Sequence, residues 1–226
     1  MITNIIGFVG GKTGTGKSYC LHYILEREYA LKRRGGIVIL DLQGDHVSLI
    51  KGTEFQYLPV SRELFMAYKL DWVGILQKYP YLIIEPTKFA EGEYGQLADN
   101  IAGAIMEIGN RTFVIEESHF AMPTYVSMKH DLSALITTGR KLGIDLYFTT
   151  QRPALVNTTA VTQANLRIGF YVDEKNDIQR MNSYFPGYDL SQLQFLEFVA
   201  NNNRERKILK SDNNHLSELD KVIWGV

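Results

Sequence analysis

Eight residues near the start of the chain, Gly11-Lys12-Thr13-Gly14-Thr15-Gly16-Lys17-Ser18, follow the pattern G-x-x-x-x-G-K-[ST] in full. They lie between a short apolar run, Ile5 to Val9, and a segment from Ser18 to Arg33 in which Leu21, Ile24, Leu25, Tyr29 and Leu31 recur at helical spacing. A strand, a glycine loop and a helix in that order form the context that gives such a pattern meaning. Glycines let backbone N–H groups curl round phosphate oxygens at the positive end of the helix. Lys17 adds a point charge for the outer phosphates of a nucleotide, and the Ser18 hydroxyl suits magnesium. Gly11 to Ser18 are therefore the candidate contacts for ATP and Mg2+, the alternative being a glycine-rich turn that binds nothing.

The rest of the chain continues the alternation. Ile37 to Asp41, Tyr81 to Ile84, Phe113 to Ile115 and Ile144 to Thr149 are apolar runs of strand length, with Phe55 to Val60 as a further short strand. Helical spacing covers 61–78, 92–109 and Met128 to Leu142. Strands separated by helices predict an α/β, doubly wound, mainly parallel sheet with crossovers on both faces. Beyond Pro153 come a strand from Leu166 to Val172, a helix over 174–183, and a closing hairpin of Phe195 to Ala200 with Arg206 to Leu209, turning over Asn201-Asn202-Asn203. Without a linker or repeat, residues 1–226 are expected to form one domain, with its core to about 172 and a C-terminal β-hairpin extension over 173–226. The Lys32-Arg33-Arg34 cluster reads as a helix stop beside Gly35-Gly36, with a DNA patch as the alternative.

Glu116 and Glu117 end the apolar run that starts at Thr112, and in an open parallel sheet ligands bind beyond the carboxyl ends of the strands. Glu116 is assigned to the metal through water, and Glu117 to orienting and polarising the attacking water. The alternative is two acids that merely end a strand. Gln151, delivered by the strand from Ile144, is placed to sense the terminal phosphate or its attacking water. Arg140 precedes that same strand and so lies at its far end, where it is either a solvated helix-end arginine or a group that reaches a neighbouring subunit's nucleotide. His119 is either a local hydrogen-bonding residue or a link from nucleotide to DNA, and Cys20 is read as packing. The DNA-contacting segment is placed at Ala121 to Asp131, with Tyr125, Lys129 and His130.

Composition narrows the classes. One cysteine excludes an internal disulfide framework. No run of about twenty apolar residues is present to span a bilayer, and Met1 to Val9 lacks the basic leader of a signal peptide. A net charge of -1 is unlike that of a typical nucleic-acid binder, so DNA contact has to be local or shared among subunits.

Taken in order, the phosphate loop, Ile39-Leu-Asp41-Leu-Gln-Gly44-Asp45, Val114-Ile-Glu116-Glu117-Ser118-His119, and Gly139-Arg140-Lys141-Leu-Gly143 running into Thr149-Thr-Gln151-Arg152-Pro153 resemble the FtsK–HerA superfamily of P-loop ATPases. The resemblance implies a RecA-like core of the ASCE class with a strand added between the two phosphate motifs. It also implies a homo-oligomeric ring, usually hexameric, that moves double-stranded DNA without sequence preference. Arg140 is then the arginine offered in trans and Gln151 the sensor. The economy of the chain is similar to that of the genome-packaging ATPases of tailless, membrane-containing icosahedral viruses. Location in the virion or host cytoplasm, and contacts with vertex or membrane proteins, would follow. A cellular HerA-like motor or a conjugation or phage-secretion motor, located in the cytoplasm, carries the same motifs. From another class, a nucleotide switch or a small-molecule kinase shares only the loop.

Overall fold

Adjacent residues along each central strand enter opposite cores, which is why these strands read as unbroken apolar runs. In the computed structural model, which describes residues 4–202, 207–212 and 215–224, Ile37 and Ile39 of β2 (Ile37–Leu40) face one layer while Val38 and Leu40 face the other. Val114 of β5 (Thr112–Ile115) is likewise set against Phe113 and Ile115. The first layer holds α1 (Lys17–Ala30) and α9 (Glu218–Ile223). The second holds α3 (Trp72–Lys78), α4 (Glu91–Ile108), α6 (His130–Thr138) and α7 (Thr158–Gln163), joined by Met181 of α8 (Lys175–Asn182).

The other strands are β1 (Ile6–Gly10), β3 (Gln56–Ser61), β4 (Tyr81–Thr87), β6 (Asp145–Thr150), β7 (Leu166–Phe170), β8 (Glu197–Asn202) and β9 (Lys207–Asp212), and together they make one sheet in the order β3-β4-β2-β5-β6-β1-β7-β8-β9. Pairing is parallel from β3 through β7 and antiparallel from β7 to β8 and β8 to β9. This is the P-loop NTPase fold, doubly wound and mainly parallel as the alternation predicts. β6 stands between β1 and β5, with Leu146 paired to both Ile6 and Phe113. That placement brings the ends of the phosphate-loop strand, the Gln151 strand and the Glu116-Glu117 strand to one edge. The closing hairpin is β8–β9; the part of its expected turn at Asn203, and Arg206, lie outside the described residues, as do Met1 to Thr3.

Several expected elements differ. The helix expected over 61–78 is two, α2 (Arg62–Ala67) and α3, because each has its own cap: Ser61 Oγ accepts from Leu64 N at 3.1 Å and Asp71 Oδ1 from Gly74 N at 3.0 Å. The helix expected to run to Leu142 stops at Thr138 and tightens into a 3-10 turn, Gly139–Leu142, closed by left-handed Gly143 at φ 69°. α1 ends at Ala30, before the basic cluster. The cluster does close that helix, with Lys32 left-handed at φ 45° and the Arg33 N–H bonded to Glu28 O at 3.2 Å, but the Arg33 and Arg34 side chains form no DNA patch: both turn inward to Asp145 at the start of β6, at 3.0 and 2.6 Å. Three short helices carry too few turns to show a period in sequence: α5 (Ser118–Ala121), α7 and α9. α9 is fastened to α1 through Asp220, which accepts from Tyr23 at 2.9 Å and from Arg27 at 2.7 Å.

Candidate nucleotide site

The glycine loop leaves β1 in a conformation that side chains resist: Gly11, Gly14 and Gly16 have φ of +156°, +78° and +108°. At Gly11 space forbids a side chain as well, since a Cβ there would lie 2.6 Å from the Cβ of Phe170. Both neighbours of β1 hold the loop, through Gly11 N to Thr150 O at 3.2 Å and Lys12 N to Tyr171 O at 2.8 Å. Thr15 Oγ1 and Lys17 Nζ both donate to Lys12 O, at 2.7 and 3.0 Å. The loop thus curls on itself, with Lys17 reaching back over it. Burial lowers the Lys17 pKa, opposed by the charges of Glu117, Glu116 and Asp45. A half-buried ammonium held over the loop is placed to meet a phosphate. Lys12 itself pairs with Asp173.

Beyond β5, Glu116 and Glu117 are buried and differently engaged. Glu116 Oε1 bonds His46 Nε2 at 2.8 Å. Burial pushes its pKa up to about 7, against the lowering effect of His46. Burial also opposes charge on His46, but the bond to Glu116 and the charges of Glu116, Asp41 and Asp45 outweigh it and raise the His46 pKa. Glu117 sits in the left-handed region, φ 44° and ψ 50°, at the head of α5. For a residue with a Cβ that conformation costs about 1 kcal/mol or more, a mark of sites where geometry matters. Its carboxylate is held on both oxygens, Oε1 by Gln43 Nε2 at 2.9 Å and Oε2 by the backbone N–H of Gln151 at 3.2 Å.

The turn after β2, to whose residues the motifs assign no role, completes the site. Asp41 is fully buried and accepts four backbone N–H bonds, from Gln43, Gly44, Asp45 and His46. So tethered, Gln43 reaches Glu117, Asp45 Oδ2 accepts from Ser18 Oγ at 2.8 Å, and His46 reaches Glu116. The sequence signals for this turn are an apolar run that ends in the carboxylate of Asp41, as another ends in Glu116, and the place of Ile39 to Asp45 in the FtsK–HerA resemblance. Asp41, His46 and Glu116 place donor atoms within 4.8 Å of one another. Both oxygens of Asp41 are bonded to the turn's own backbone, so within this cluster Asp41 holds the turn in place.

Gln151 arrives where expected, its Oε1 accepting from Thr13 of the loop. His119 bonds Thr150 Oγ1 at 2.9 Å and lies 3.3 Å from Glu117 Oε2, so it is a local hydrogen-bonding residue that also touches the acid. The structure brings Thr13, Lys17, Ser18, Glu116, Glu117 and Gln151 to one edge. It leaves Arg140 exposed at the far end of β6. Cys20 is buried in the core under α1, which raises its pKa. Lys129 donates to Gln96 at 3.1 Å, while Tyr125 and His130 are exposed. Among the described residues no helix is long and apolar enough to cross a membrane.

A mainly parallel sheet with a glycine loop after β1, an acid pair after β5 and Gln151 after the strand between them defines the class, a P-loop NTPase fold. The chain resembles the FtsK–HerA superfamily within it, and residues 8–104 match the family Helicase HerA, central domain. Its fold is similar to that of the genome packaging NTPase B204 from Sulfolobus turreted icosahedral virus 2 in complex with AMP, at TM-score 0.68 and 16% identity over 94% of this chain and 98% of that one. VirB4 of Thermoanaerobacter pseudethanolicus follows at TM-score 0.62 and 9% identity, over 91% and 88%. The pCW3 conjugation coupling protein TcpA matches at 0.54 and 16%, over 97% and 66%. No curated protein matches by sequence.

Proposed function

We propose that this chain hydrolyses ATP to drive double-stranded DNA, as the genome-packaging motor of a virus, working as a homo-oligomeric ring. The observation that carries the hydrolytic part is the position of Glu117, buried beside the phosphate loop with both oxygens oriented by Gln43 and Gln151. A group so placed serves to hold an attacking water, which a kinase has to exclude. The packaging part is supported by the near-complete mutual coverage with B204.

In this reading backbone N–H groups of Gly11 to Ser18 bind the phosphates and Lys17 neutralises the outer ones. Glu117 takes a proton from water, Gln151 contacts the terminal phosphate, and Arg140 serves the neighbouring subunit. The oxygen donors near the loop, Ser18 and Glu116, fit a hard cation. Magnesium, when bound there, would withdraw charge from the phosphates. The likeness to VirB4 and TcpA supports a second reading, a conjugation-type or HerA-like cellular motor with the same chemistry.

The test is steady-state ATP hydrolysis with and without linear duplex DNA across protein concentration, with Glu117→Gln as the blank. Turnover stimulated by DNA, steeper than linear in protein and lost in the blank supports the motor. Turnover that ignores DNA and survives Glu117→Gln overturns it in favour of a switch or kinase.

A further inference from the structure

The phosphate-loop pattern names Ser18 for the metal and the strand-end pattern names Glu116, but the group that Ser18 touches is Asp45. Ser18 Oγ donates to Asp45 Oδ2 at 2.8 Å. A hydroxyl has one proton and two lone pairs. When the proton is committed to a carboxylate, the lone pairs are left to face a cation. Glu116 is less free to accept that proton, since its Oε1 is bonded to buried His46 at 2.8 Å.

The placement of Asp45 is built. Asp41 grips the backbone N–H of Asp45 at 3.2 Å and of its neighbours Gly44 and His46 at 2.8 and 2.9 Å. His22, from the second turn of α1, bonds the Asp45 backbone, and its ring packs 4.6 Å from that of His46. The helix that carries Ser18 and the turn that carries Asp45 are thereby fixed to each other.

We propose that Asp45 is a positioning carboxylate of the metal site: it accepts the Ser18 hydroxyl proton and so leaves the Ser18 lone pairs for the ion. The proposal rests on the reading of Gly11 to Ser18 as a nucleotide loop. It adds a third oxygen-bearing group on the metal side, supplied by the turn after β2, to the two that the motifs supply. Through Gln43, two residues earlier in the same tethered turn, the metal side is joined to the residue that holds Glu117.

The test is equilibrium binding of a fluorescent ATP analogue to the full chain, titrated with magnesium and repeated in EDTA. Asp45→Asn is the informative variant, because its amide keeps the shape but offers N–H groups to Ser18 and reverses the bond. Loss of an outer partner of a metal ligand costs about 10- to 100-fold in metal affinity. The half-saturating magnesium concentration should therefore rise by about that factor, with binding in EDTA no weaker than in the wild type, since the variant removes a negative charge near Lys17. Ser18→Ala should raise it similarly, and adding Asp45→Asn to Ser18→Ala should raise it little further. A wild-type magnesium dependence in Asp45→Asn overturns the proposal. So does a loss of binding in EDTA as large as the loss with magnesium, which would make Asp45 a support of the loop itself. A wild-type chain that binds the analogue with magnesium but never hydrolyses ATP would sink the motor and leave Asp45 standing. One that binds no nucleotide under either condition would take both down.

Discussion

Gln43 donates its side-chain amide to Oε1 of Glu117 at 2.9 Å, joining the turn after β2 to the residue that follows β5. β2 and β5 are adjacent in the sheet, with Leu40 paired to Ile115, so the two groups leave neighbouring strands side by side. Removing the amide should free a buried carboxylate to rotate away from the water it is proposed to hold. A hydrogen bond to a charged group contributes about 1.5–3 kcal/mol. Gln43→Ala is thus expected to lower the turnover number about tenfold or more, with the KM for ATP little changed. Steady-state kinetics checks this, and a variant with wild-type turnover would make the contact incidental.

Arg140 stands at the opposite end of β6 from Gln151, and the six residues of that strand, Asp145–Thr150, span about 20 Å at roughly 3.3 Å each. An arginine so placed serves a nucleotide only across an interface between subunits, as a head-to-tail ring provides. Arg140→Ala should then lower hydrolysis by about 10³-fold or more. Mixing it with Glu117→Gln protein should restore activity, because some sites then combine an intact Glu117 with a neighbour's intact Arg140. Mixed preparations that stay as inactive as their parts would leave Arg140 a surface residue.

The contrast between Glu117 and Gln43 shows what the sequence could reveal. Glu116, Glu117 and Gln151 each end an apolar run, and in a parallel sheet the run itself announces a strand whose end faces the ligand edge. The loop from Gly11 to Ser18 is local, so spacing alone describes it. Gln43, Asp45 and His46 gain their partners 74, 27 and 70 residues away. Those partners depend on strand order, which leaves no period in the sequence. The inward turn of the Arg33 and Arg34 side chains is hidden for the same reason: Asp145 lies 112 and 111 residues from them. α2 and α3 read as one helix because the second cap, Asp71, falls inside a continuous stretch of helical spacing.

Glu28 offers a test of the far end of the sheet. It is buried under α1, where its two oxygens accept from Tyr147 and Thr112, each at 2.7 Å. Burial and the charge of Asp145 push its pKa up from 4.5 to about 7, more than the two hydroxyls and Arg33 pull it down. The folded chain therefore holds this proton more tightly than the unfolded chain. The stabilisation is complete below about pH 4.5 and is lost as pH rises through about 7. At most it amounts to about 3 kcal/mol. Glu28→Gln keeps an uncharged polar group against both hydroxyls and removes the titration. Thermal melts of both proteins between pH 5 and 8 should show the wild type losing several degrees more than the variant, at about 2–4 °C per kcal/mol for a chain of this size. Parallel pH profiles would mean that Arg33 and Asp145 rearrange to keep Glu28 charged throughout. The buried network at the start of β6 would then behave as a fixed set of ion pairs and not as a proton site.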